Sequence, residues 1–212
     1  FNYYAKLPKH HETDLTDVIN IYMKEHKASL VLLDKDVPTL KYPWDLFQLS
    51  RILIDTFLKP SIAANATIAK NAVIEGNVYV GEGVRVFENA VIKEPCYIGK
   101  NCVIGTNTLV REYSNFEEGV VIGAHSEITR SIFQRGTHTH SGFFGDSIVG
   151  KNCRFGAGFI TANRRFDGAL IKAVVKDKKI DTGVTSLGAV IGENSHFGIH
   201  SGTMPGVLIG KE

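Results

Sequence analysis

Two hundred and twelve residues leave room for one large domain, or for one domain with an appendage. Hydrophobic residues make up 43% and the net charge is +2, which excludes the strong basic or acidic bias that a nucleic acid or an anionic membrane would require of a partner. With no long apolar run and no signal peptide, the sequence predicts a cytoplasmic protein with neither a membrane nor a nucleic-acid partner.

The chain opens on Phe1 and stops just after the start of a repeat, so we expect a piece of a longer protein. Residues 1–59 carry no hexad period. Asp14 to His26 predicts a short helix, with Asp14 as N-cap, Asp17 three residues later, and an apolar stripe of Leu15, Val18, Ile19 and Tyr22. Ser29 to Leu33 reads as a buried strand. Pro43 is expected to open a second helix, where a missing N–H costs nothing. Its stripe is Leu46, Leu49, Leu53 and Phe57, and it ends at Pro60. Because that helix directly precedes a repeat array whose first strands would be unpaired, we expect it to cap the first coil.

From Ile62 onward every sixth residue is large and apolar: Ile62, Ile68, Ile74, Val80, Val86, Ile92, Ile98, Ile104, Val110, Phe116, Ile122 and Ile128. Two residues before each, from Ala66, stands a small or β-branched residue: Ala66, Ala72, Val78, Val84, Ala90, Cys96, Cys102, Thr108, Ser114, Val120, Ser126. A period of six suits neither a lone helix nor a lone hairpin. It suits a β class solenoid of short parallel strands, three hexads to a triangular coil, with one large and one small side chain per hexad turned inward. Cys96, Cys102 and Cys153 fall on the small inward position, so they read as buried fillers and not as a bridge.

After Ile128 the phase slips by three residues and is expected to resume at Phe143, Val149, Phe155 and Thr161. The slip lies within Thr129 to Gly142 and contains Gly136-Thr137-His138-Thr139-His140. A break in a regular repeat is where function is expected. A second break, Ala162 to Leu187, holds the basic residues Arg164, Arg165, Lys172, Lys176, Lys178 and Lys179, and predicts a projecting hairpin-like loop. The hexads return at Ile191, Phe197, Thr203 and Ile209.

The hexads resemble those of the hexapeptide-repeat family, which implies a left-handed parallel β-helix. Leu15 to Asn20, and above all Tyr42-Pro43-Trp44-Asp45-Leu46, resemble the last part of sugar-1-phosphate nucleotidylyltransferase domains. The chain then divides into a remnant of such a domain with a capping helix at 1–59 and a β-helix acyltransferase domain at 60–212. That family's phosphate loop has no counterpart here, and Thr39 stands where it usually carries a metal-binding Asp, so nucleotidyl transfer is not expected of this chain.

His140-Ser141-Gly142-Phe143-Phe144-Gly145-Asp146 and Phe155-Gly156-Ala157-Gly158-Phe159-Ile160-Thr161-Ala162-Asn163 resemble the acetyltransferase half of bifunctional, archaeal-type enzymes that acetylate an aminosugar 1-phosphate and then activate it. The resemblance implies acetyl-CoA as cosubstrate, a homotrimer and no metal. It makes His140 the general base and Asn163 a contact to the sugar amine, both catalytic. It places Gly156, Ala157 and Gly158 on acetyl-CoA, and Phe143, Arg154, Arg164 and Lys172 on the sugar phosphate. The chemistry suits those types: a His can take the amine proton near neutral pH, a Gly-Ala-Gly backbone can donate to a thioester oxyanion, and cations can hold the phosphate. The family commonly has Tyr at Phe143, often Asn at Arg154, and Lys near Thr129, so the substrate contacts differ from its pattern. His125, His138, His140, His196 and His200 invite comparison with zinc-bearing carbonic anhydrases of this fold, but their spacings do not match. A reading of another class stays open: a non-catalytic trimerisation and regulatory β-helix for a nucleotidylyltransferase.

Overall fold

The computed structural model describes residues 14–29, 31–32 and 38–211. The chain forms two compact units, Phe1–Val37 and Pro38–Glu212. Among the described residues of the first, helix α1 (Asp14–Glu25) is the regular element, with Leu15, Ile19 and Tyr22 of its apolar stripe exposed. The expected N-cap, Asp14, is instead its first helical residue, and that side chain lies outside the described residues. Of the strand expected at Ser29–Leu33, residues 30 and 33 lie outside the described residues, and Val31 and Leu32 are exposed coil.

In the second unit, short parallel strands stack into a solenoid of eight coils. Face A holds eight strands, from Ser61–Ile62 to Val207–Ile209; face B holds seven, from Thr67–Ile68 to His196–Phe197; face C holds seven, from Val73–Glu75 to Gly202–Thr203. Each strand pairs with the next on its own face: Ile62 lies against Val80, Val80 against Ile98, and Ile98 against Phe116. Ile92, Ile98, Ile104, Val110, Phe116, Ile122 and Ile128 are fully buried, as are the small Ala90, Cys96, Cys102 and Val120. Burying one such Ile side chain contributes about 1.5–3 kcal/mol. Hydroxyls at the small position are satisfied at the corners: Ser114 Oγ donates to Arg111 O at 2.7 Å and Ser126 Oγ to Gly123 O at 2.9 Å. The three cysteines are buried and free, and burial pushes the Cys96 thiol up to about 12.

The slip is not a broken coil. It is spread over three corners that each lose one residue, so the inward positions run Ile128, Phe133, Thr139, Phe144, Val149 and Phe155. Phe144 and not Phe143 therefore enters the core, in edge-to-face contact with Phe133 and Phe155, with ring centroids 5.3 and 5.1 Å apart. Phe143 faces outward and is half-buried.

The second break is an antiparallel hairpin, Lys172–Val175 with Lys178–Asp181. It does not simply project. Ile171 and Ala173 are buried with Leu187 and Trp44, and Leu208 of the last coil packs on them. Trp44 belongs to a tight turn in which Asp45 Oδ2 accepts the N–H groups of Lys41 and Tyr42, both at 2.8 Å. Helix α2 (Asp45–Phe57) follows, so Pro43 sits in the turn and does not open the helix.

Nor does α2 cap the first coil. Leu46, Leu49, Leu53 and Ile54 flank a cavity of about 610 Å³ whose other wall is Tyr79, Tyr97, Asn115 and Ile132, outward residues of face A. The Tyr113 hydroxyl donates to Asp55 at 3.0 Å, and Arg51 lies 4.8 Å from the Tyr113 ring centre. The helix thus runs along face A from the hairpin root to the first coil, and leaves Ile62 53% exposed at the open end. Among the described residues no helix is long and apolar enough to cross a membrane.

Candidate functional site

On face B, strand alternation turns Thr139, Phe155 and Phe197 inward and His138, Arg154 and His196 outward on successive rungs. His140 follows the strand His138–Thr139 at the corner between faces B and C. Its N–H donates to Phe155 O at 2.9 Å, which holds the backbone while the side chain stays exposed. A Cβ on Gly123 would stand 1.9 Å from His140 O, so only glycine admits that corner. His125, His138, His140, Ser141, Arg154 and Gly156 surround a groove of about 660 Å³. Partial burial, then the neighbouring Arg154 guanidinium and His140 imidazole, hold the His138 imidazole below its ordinary pKa.

The Gly156–Gly158 turn forms the next rung of the same corner. The Gly156 N–H donates to Phe197 O at 2.9 Å and the Gly158 N–H to Ser141 Oγ at 3.0 Å. Ala157 accepts the His200 N–H at 2.8 Å through its carbonyl, while its own N–H has no acceptor among the described residues. Rungs lie about 4.8 Å apart, so this open donor is one step from His140.

Asn163 is elsewhere. It occupies the corner between faces C and A, where its Nδ2 donates to Asp146 Oδ2 at 2.7 Å. Strand Gly142–Gly145 separates the two corners, a span of about 15 Å within one chain. Phe143 and Arg164 are at the Asn163 corner: a Cβ on Gly145 would be 2.6 Å from Asn163 Nδ2 and 2.7 Å from Phe143 Cζ, and Arg164 Nε donates to Ser186 Oγ at 3.1 Å. Lys172 is exposed on the hairpin and shares no hydrogen bond or ion pair with either corner among the described residues. Of the candidate residues, then, His140, Arg154 and Gly156 gather on one groove, with Ala157 and Gly158 continuing the turn beside it, and Asn163, Phe143 and Arg164 lie at another corner. Thr129 is buried beneath Glu112, with its hydroxyl 3.5 Å from Glu112 Oε2. Among the described residues no three His, Cys, Asp or Glu side chains are grouped to hold a metal ion.

One set of residues at these corners escaped the sequence reading. Arg130 Nε and Nη2 donate to the two oxygens of Asp146 at 2.6 and 3.0 Å, and Arg130 Nη1 donates to Glu112 Oε2 at 2.6 Å. The signal lay in the spacing: Glu112, Arg130, Asp146 and Asn163 each follow the last by one coil, so they stack.

Coil, repeat and corner glycines define the class: this is a hexapeptide-repeat β-solenoid. Residues 80–112 match the family model for the bacterial transferase hexapeptide of six repeats. More particularly, the chain is 40% identical over 208 residues, 98% of its length, to the bifunctional protein GlmU of Methanocaldococcus jannaschii, of which it covers 50%. It is 34% identical over 94% of its length to a bifunctional sugar-1-phosphate nucleotidylyltransferase/acetyltransferase of Sulfurisphaera tokodaii, of which it covers 49%. The chain is therefore a relative of these archaeal bifunctional proteins and spans about half their length. A perosamine N-acetyltransferase structure from Caulobacter crescentus matches at a TM-score of 0.24 and 22% identity over 50% of this chain and 53% of that one, too slight a likeness to bear on the site.

Proposed function

We propose that this chain catalyses acetyl-CoA-dependent N-acetylation of an aminosugar 1-phosphate, as the acetyltransferase part of a bifunctional nucleotide-sugar enzyme. The observation that carries the reading is an exposed His140 on the groove, with the turn that begins at the groove residue Gly156 and holds the unengaged Ala157 N–H one rung away. The substrate amine attacks the thioester carbonyl, the N–C bond forms, and the oxygen turns anionic. Ala157 N–H donates to that oxygen. His140 takes the proton the amine loses. The C–S bond then breaks and CoA leaves as a thiolate that is protonated.

Arg154 is in the same groove, and its guanidinium and the Arg164 and Lys172 cations are the groups on this chain suited to a sugar phosphate. The homotrimer that the family resemblance implies belongs to the same reading: Asn163 lies a sheet-face away in its own chain, so the reading has a second copy bring it to the His140 groove. Relatives named as nucleotidylyltransferase/acetyltransferase support the reaction class. A cytoplasmic location belongs to the same reading.

The test is mass spectrometry after incubating the chain with acetyl-CoA and a panel of aminosugar 1-phosphates, glucosamine and galactosamine included. A product heavier by one acetyl group is expected. An intact, oligomeric protein that acetylates none of them would sink the reading.

A further inference from the structure

Asp146 is 7% exposed, and both its oxygens are engaged. Oδ1 accepts Arg130 Nε at 2.6 Å; Oδ2 accepts Arg130 Nη2 at 3.0 Å and Asn163 Nδ2 at 2.7 Å. Arg130 is anchored from the other side by Glu112 at 2.6 Å. Asp146 and Arg130 hold positive φ angles of 47° and 46°, so the ladder also occupies backbone that non-glycine residues seldom adopt.

The chemistry of the pair settles which way the Asn163 amide faces. An asparagine amide can ordinarily be turned either way round. An ionised carboxylate only accepts hydrogen bonds. Facing Asp146, Asn163 must offer its NH2, which leaves its carbonyl oxygen turned away. That oxygen has no hydrogen bond among the described residues. Beneath it, Gly145 leaves the space into which the Phe143 ring and the Asn163 amide close.

We infer that Asp146, held by Arg130 and Glu112, is a positioning residue that fixes the Asn163 amide with its carbonyl outward, ready to accept a hydrogen bond from the acceptor amine. This rests on the acetyl-transfer reading. Asp146 touches no substrate and acts only through Asn163. An amide in place of the carboxylate keeps its size and can still accept from Arg130, but it presents an NH2 toward Asn163. The Asn163 amide must then turn over and show its own NH2 to the substrate.

The test is a double-mutant cycle on the full chain, with each variant first shown to be folded by its thermal melt. Asp146→Asn should lower kcat by about tenfold or more, as a misoriented contact does, with the KM for acetyl-CoA changed less than about twofold. Asn163→Ala should lower kcat at least as much, and the double variant should be no slower than Asn163→Ala alone. Asp146→Asn at the wild-type rate, or a double variant slower by the product of the two single effects, would overturn the proposal; the second result is what a merely structural role predicts. Should Asp146→Asn fail to fold, Arg130→Lys serves in its place, since it keeps a charge beside Asp146 but loses the two-pronged grip.

A readout free of turnover separates this idea from the reaction itself. The Asn163 side-chain amide, identified by its loss from the NMR spectrum of Asn163→Ala, should exchange slowly with solvent in the wild type and faster in Asp146→Asn. A wild type that transfers no acetyl group but shows this protection would sink the reaction and keep the clamp. Unprotected amide protons in the wild type would sink the clamp even if the enzyme is active.

Discussion

Two parts of one solenoid, the coils through Ile128 and those from Thr129 to Thr161, obey the same hexad rule with different results. In the first, rungs pair eighteen residues apart, as Ile104 does with Ile122, and corner hydroxyls such as Ser126 Oγ donate to a carbonyl of their own turn. In the second, Ile122 pairs with Thr139, Ile128 with Phe144 and Thr139 with Phe155, so each coil is one or two residues shorter. The shorter corners are bridged by side chains: Ser131 Oγ accepts the Ser147 N–H at 3.0 Å, and Ser147 Oγ accepts the Ala189 N–H at 3.1 Å. Inward threonines enter the core there, and Thr161 Oγ1 accepts the Gly145 N–H at 3.0 Å. The regular coils are a prism held by packing. The shortened coils exchange some apolar burial for polar corners, and the His140 groove and the Asp146 ladder stand on those corners.

Four measurements would break or sharpen the contrast. The largest expected effect is on the shortened part: His140→Ala should lower kcat by about 10²–10⁴, with thermal stability nearly unchanged because the side chain is exposed. A variant that acetylates at the wild-type rate would remove His140 from the reaction. The next is on the regular part. Ile104→Ala should cost about 2–5 kcal/mol in urea denaturation, because Ile104 is fully buried, while kcat of the folded variant stays close to wild type. A loss below about half a kcal/mol would refute close packing at that coil.

Smaller again is the same substitution at the open end. Ile62→Ala should cost about 1 kcal/mol or less, since Ile62 is 53% exposed and α2 does not cover it. A cost matching that of Ile104→Ala would mean that the first coil is covered after all. The smallest effect concerns pH. Burial and the neighbouring charges lower the folded pKa of His138, so the unfolded chain takes up this proton first, near pH 6.5. The resulting stabilisation is full above that pH and is lost as pH falls below it. His138→Gln should therefore make the urea midpoint less sensitive to acid, modestly, because the ring is only partly buried and solvent screens the rest. An unchanged pH dependence would show that His138 takes no part in it.

The hexad determined a great deal, because each strand is short and its inward residues are neighbours in the chain. Every large position from Val80 to Ile128 is buried as the period predicts, and the cysteines fill the small positions. Helix α2 was also legible, to within two residues at its start, but the turn at Tyr42–Asp45 that precedes it was not, because Pro43 suits a turn as well as a first helical position. The phase slip showed that three residues were missing, but not that three corners lose one each, and so Phe143 stood where Phe144 enters the core. Period alone cannot divide a deletion among corners; backbone closure does.

Only the tertiary structure decided where α2 lies, since an apolar helix face fits the flank of a sheet as well as the end of a coil. Only the tertiary structure, too, put His140 and Asn163 on different corners. They stand twenty-three positions apart in sequence, but the coil lengths between them set which edge of the prism each one meets. The Glu112–Arg130–Asp146–Asn163 ladder has the same origin: four residues distant in the chain become neighbours because each coil returns the backbone to the corner it left about 4.8 Å below.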